Sequence, residues 1–174
     1  MKIQNRQNLG KDCAYIGVFV ALTITAQLCL SFLPGIEVVT VLFVTFSFAF
    51  GCRRGMAAAT AFSLLRQLVF GVSTTVLVLY LIYYNLLALL FGFLGRWQKV
   101  TLPKLILFTA LACVCTVCFT MLDNLITPLW YGFSRRAWKI YFYASLPTMV
   151  SQVICTAVSV SILFYPLVRN FRKL

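Results

Sequence analysis

Apolar residues run through this chain in long blocks, separated by short polar or basic punctuation. The first block covers roughly 13–33 and ends at Pro34-Gly35. The second, roughly 38–50, stops at the Gly51-Cys52-Arg53-Arg54-Gly55 turn. The third, 55–71, carries Arg66 and Gln67 inside it, and the fourth, 75–95, ends at Gly95-Arg96. The fifth, 104–127, stops before Pro128. A polar, aromatic stretch from Trp130 to Tyr143 precedes the sixth, 144–168. Blocks of this kind match the helix needed to cross a hydrocarbon core of ~30 Å. The second is the exception: about 13 residues at ~1.5 Å each fall short, so it borrows flanking residues or is a partial span. The pattern predicts an all-α integral membrane protein, a bundle of six transmembrane helices forming a single domain over 1–174. The first block is too long for the apolar part of a signal peptide and has no clear small-x-small cleavage site, so it reads as a retained helix.

Composition sharpens this. The chain is 62% hydrophobic and 10% charged, against about 25% charged residues in an ordinary soluble domain. Fifteen Lys and Arg face three acids, Asp12, Glu37 and Asp123. In a soluble protein that excess suggests nucleic acid, but here the cations sit mostly between apolar blocks, where they orient helices in a bilayer. With the N-terminus inside, six crossings put Lys2, Arg6, Lys11, Arg53, Arg54, Arg96, Lys99, Lys104, Arg169, Arg172 and Lys173 on the cytoplasmic side. Arg135, Arg136 and Lys139 fall outside, and the connections near 34–37 and 71–74 carry no cation. Both termini are therefore expected in the cytoplasm, with no nucleic-acid partner.

Counting helix rise from these ends puts the polar residues at a common depth. Glu37, Arg66, Gln67, Asp123, Asn124 and Gln152 all fall in the outer half, with Asn85 nearer the middle. Tyr80, Tyr83 and Tyr84 add hydroxyls at similar depth, and Trp130, Tyr131, Trp138 and Tyr141 form a lid or an interface belt. Ionisable groups within a membrane are costly and mark function by default, so these residues predict an outward-facing pocket for a small organic molecule. The plain alternative is that Arg66 pairs with Glu37 or Asp123 to satisfy a buried charge, with the aromatic residues as interfacial anchors. Deeper in the membrane, Gly17, Ala21 and Thr25 recur at spacing four on the first helix, as do Gly55, Ala59 and Ser63 on the third. Small residues so spaced allow close helix contact, either within the bundle or with a partner subunit.

The chemistry that is missing narrows the class. There is no His, no G-x-x-x-x-G-K phosphate loop, no HExxH, no GxSxG and no paired carboxylates, so catalytic and metal-binding residues are not predicted, nor is a cofactor. Cys115-Thr-Val-Cys118 has the form of a redox pair, but its mid-block position favours cysteines that pack as small apolar residues. A thiol oxidoreductase using Cys115 and Cys118 and a non-transport membrane scaffold stay as the alternatives. The chain is short for a transporter made of two inverted repeats.

A resemblance follows from these features together with Leu33-Pro34-Gly35-Ile36-Glu37-Val38-Val39-Thr40, Phe50-Gly51, the glycine-bearing start of the third helix, Tyr141-Phe142-Tyr143-Ala144-Ser145-Leu146-Pro147, and the basic end after Pro166. Over about 10–174 the chain resembles a substrate-binding S-component of an energy-coupling factor (ECF) vitamin transporter, of the cobalamin-like and unassigned subgroups. The resemblance implies a vitamin-like ligand held in the outer half of the bundle, gated in part by the Pro34 loop. It also implies a bacterial cytoplasmic membrane and, as partners, a transmembrane coupling subunit with two ATPase subunits. Such proteins topple in the membrane and dock through an AxxxA-type motif on the first helix. Gly17, Ala21 and Thr25 hold that spacing here, with alanine only at Ala21. On this reading Glu37, Arg66, Gln67, Asn85, Asp123, Asn124 and Gln152 bind polar ligand groups, and Tyr83, Tyr84 and Trp130 stack on a ring.

Overall fold

The computed structural model describes residues 2–32, 38–95 and 102–173, all of it helix and short connections. Among the described residues six helices follow in chain order: α1 (Lys2–Leu30), α2 (Val39–Phe50), α3 (Cys52–Phe70), α4 (Thr74–Leu94), α5 (Leu102–Trp130) and α6 (Arg135–Phe171). Among the described residues, four stretches are long and apolar enough to cross a membrane: Gly10–Leu30, Thr74–Leu94, Pro103–Trp130 and Arg135–Phe171.

Helix α2 packs against all five others, whereas the backbone of α1 runs close only to α3 and α2. Every residue of α2 from Val39 to Phe48 is buried. A helix apolar on all sides is either a lipid-facing span or a buried one; at twelve residues α2 is short for a span, and it is enclosed by protein. Its rings knit the core, Phe43 against Phe62 at 5.2 Å and Tyr84 at 4.7 Å, and Phe48 against Phe108 and Phe164, both at 5.2 Å. The outward faces of the other helices are apolar too. Val18, Leu68, Phe93, Ile106, Ile154 and Ile162 are all exposed, an arrangement suited to hydrocarbon and costly in water.

Three helix ends differ most from the sequence expectation. Helix α5 carries Pro128 within its last turn and continues to Trp130. Helix α6 begins at Arg135, so most of the Trp130–Tyr143 stretch is helical; Ser134 caps it by accepting the Ala137 amide at 3.3 Å. The Trp138 indole then donates to the Asn124 carbonyl at 2.9 Å, tying this early turn to α5. Helix α1 also starts earlier than expected, at Lys2.

Buried hydroxyls inside the bundle mostly donate to their own helix four residues back, as Thr23 does to Phe19 (2.7 Å), Ser63 to Ala59 (2.8 Å) and Thr116 to Ala112 (3.0 Å). Self-satisfaction of this kind removes the cost of a polar group far from water. Thr116 and Thr156 add a 3.1 Å bond between α5 and α6. Where the chain turns from α2 to α3, Gly51 adopts a positive φ of 86°. The end of α4 presses on that turn: a Cβ at Gly92 would lie 2.5 Å from the Cys52 nitrogen. Asp12 on α1 and Arg54 on α3 form an ion pair at 2.7 Å beside the same turn.

The two small-residue stripes have different uses. Gly55, Ala59 and Ser63 are buried, and a Cβ at Gly55 would meet Ser47 of α2 and Ala88 of α4. Gly17, Ala21 and Thr25 instead lie on the exposed face of α1, where a Cβ at Gly17 meets nothing within 4 Å.

Replacing Gly92 with Ala should cost about 1–3 kcal/mol through overpacking against backbone, read as a lower unfolding temperature in detergent. Gly17→Ala should leave that temperature unchanged. Equal behaviour of the two variants would contradict the close approach of α4 to the α2–α3 turn.

Candidate functional site

The ends of α1, α3 and α5 meet the beginnings of α2, α4 and α6 at one end of the bundle. Between them lies a cavity of about 310 Å³, lined by residues of all six helices, among them Gln27, Val39, Arg66, Tyr80, Phe119 and Gln152. It lies at the end of the bundle opposite the chain termini and the α2–α3 turn, as the element order requires.

Arg66 dominates this cavity. Its guanidinium lies 4.6 Å from the centre of the Phe70 ring and 4.5 Å from that of Tyr80. Placing a delocalised cation against two ring faces is favourable, more so where water is scarce. Its Nε donates to Gln27 Oε1 at 3.0 Å, and Gln27 Nε2 donates onward to the Tyr80 hydroxyl at 3.2 Å. This relay fixes the arginine with neutral partners, so its charge is oriented without being cancelled by them. Gln27 was not among the residues singled out from the sequence, although it is an amide within the otherwise apolar second half of α1. Phe70 and Phe119 were missed because a ring in an apolar helix carries no sign of which way it faces.

A second cavity of about 270 Å³ shares Phe119 and Gln152 with the first and is lined also by Thr120, Asp123, Tyr141, Ser145 and Thr148. Asp123 takes one hydroxyl on each oxygen, from Thr127 at 2.8 Å and from Tyr141 at 2.7 Å. Gln152 accepts a long bond from Thr120 at 3.5 Å.

The other expected site residues have different surroundings. Gln67 is 5% exposed and its Oε1 accepts the Ser73 amide at 2.9 Å, pinning the turn between α3 and α4. Asn124, 4% exposed, donates to Ser145 at 2.8 Å and joins α5 to α6. Tyr83 and Tyr84 are buried in the ring cluster, Tyr83 packing on Phe119 at 4.7 Å. Asn85 donates to the Leu81 carbonyl at 2.8 Å and faces Thr60. Trp130 is 58% exposed and lines neither cavity. Glu37 and the Pro34 loop lie outside the described residues. The structure thus brings Arg66, Asp123 and Gln152 together at adjoining cavities, and gives Gln67, Asn85 and Asn124 bonds that join elements.

All seven cysteines are free thiols, and Cys118 is exposed on the outer face of α5. Among the described residues no group of His, Cys, Asp or Glu is placed to hold a metal ion. No protein-family model, curated protein or solved structure matches this chain.

Replacing Cys115 and Cys118 together with Ala should leave helicity unchanged and any co-purifying small molecule within about twofold of wild type, because neither thiol lines the cavities and both behave as small apolar packing residues. Circular dichroism and mass spectrometry of extracts check this. A complete loss of content with the fold retained would favour thiol chemistry instead.

Proposed function

We propose that this chain captures a vitamin-like small molecule from outside a bacterial cytoplasmic membrane, as the S-component of an ECF-type importer. The observation that carries this reading is the Arg66 cavity, a cation held between two rings at the bundle end remote from the termini. The excess of cations at the opposite end supports six crossings with both termini in the cytoplasm, which turns the cavity outward. An oriented arginine with aromatic walls is suited to an acidic group on a flat molecule. The chain offers no phosphate loop and no catalytic constellation, so it acts as a non-enzymatic subunit. Energy for release inside is supplied by two ATPase subunits through a transmembrane coupling subunit. The exposed Gly17, Ala21 and Thr25 face of α1 is available for that coupling subunit.

Mass spectrometry of extracts from the chain purified out of its own membranes should find a small organic molecule in near-stoichiometric amount. Arg66→Gln removes charge-assisted bonds of about 1.5–3 kcal/mol and should lower its content roughly tenfold or more. Wild-type protein that carries no such molecule, alone or with a coupling subunit, would sink the capture reading. Orientation is tested separately in a cysteine-free background: Ser73→Cys should react with an impermeant maleimide on intact cells. Labelling only after the cells are opened would reverse the topology.

A further inference from the structure

The two adjoining cavities hold charges of opposite sign, and neither charge is neutralised by the other. Asp123 has no cation within ion-pair distance among the described residues, where the ion pair that forms is Asp12 with Arg54. Its two hydroxyl partners, Thr127 and Tyr141, orient the carboxylate without cancelling it. A carboxylate oxygen has two lone pairs, so each oxygen retains one acceptor site at the wall of the cavity. A charge kept in a bundle of this kind is costly until it meets a counter-charge. Arg66 is in the complementary position, its Nε committed to a neutral amide and its remaining guanidinium donors beside the first cavity. Gln152 and Phe119 form the boundary that both cavities share. An amide there can give and accept a bond, and its Thr120 contact at 3.5 Å is long enough to be given up.

Resting on the capture reading, we infer that the captured molecule is amphoteric, with an acidic group at Arg66, a basic nitrogen at Asp123 and a flat apolar body along Phe119. Such a molecule neutralises both compartments at once, which a simple acid, a simple amine or a neutral sugar does not. Cavities of about 310 and 270 Å³ together fall within the ~300–1,000 Å³ that small-molecule sites occupy, so the class is a compact ring-bearing ampholyte.

Electrophoresis of the small molecule released by heat from purified wild-type protein tests this directly. It should migrate as a cation in acid and as an anion in alkali. Its content should fall about tenfold or more in Asp123→Asn, a loss of at least ~1.4 kcal/mol of binding, and should fall less in Asp123→Glu, which keeps the charge. A released molecule that carries one sign of charge only overturns the inference while leaving capture intact. So does Asp123→Asn protein, helical by circular dichroism, that retains the wild-type content. Wild-type protein that releases nothing overturns capture and this inference together. The charge of the wild-type molecule decides the matter even if the Asp123 variants do not fold.

Discussion

A twelve-residue helix is too short to cross a hydrocarbon core unaided, and α2 sits inside the bundle where all five other helices touch it. The consequences reach both ends of the bundle. At the termini end, the α2–α3 turn is pressed by α4, which requires glycine at position 92 because any side chain would strike the Cys52 backbone. At the other end, α2 begins at Val39, and Val38 and Val39 line the base of the Arg66 cavity.

Much of this was legible in the residues, because helices in hydrocarbon must satisfy their own backbone and show this as apolar blocks. The blocks located six helices, and the depth count placed Arg66, Asp123 and Gln152 at a common level, where the structure gives them adjoining cavities. What composition hid was direction. Gln67 follows Arg66 by one residue, which on a helix turns it about 100° away, so it braces the Ser73 turn instead of joining the arginine. Tyr80 and Tyr84 lie on one face, yet only Tyr80 reaches the cavity, while Tyr84 is sealed among Phe43 and Phe62. The early start of α6 was concealed because its aromatic and basic residues resemble a connection until Trp138 is seen bonded to α5. The two small-residue stripes look alike in sequence, and only packing separates the buried one on α3 from the open one on α1.

On the proposed capture reading, the chemistry of the site is recognition by charge and shape. Arg66 is held by rings and an amide and is thereby kept rigid, which lowers the entropy lost when a partner arrives. Asp123 is held in the same spirit by two hydroxyls. Preorganised charges in a region of low dielectric interact strongly with the correct partner, and a cavity shared by all six helices links occupancy to the packing of the whole bundle.

On the capture reading, Arg66 awaits a molecule and is not merely part of an internal ion pair. An experimentally determined structure of the protein purified from its native membrane tests this most directly. The expected result is density for a small molecule in contact with the Arg66 guanidinium beside Phe70 and Tyr80. A cavity without such density, with Arg66 instead bonded to Glu37 or Asp123, would contradict it.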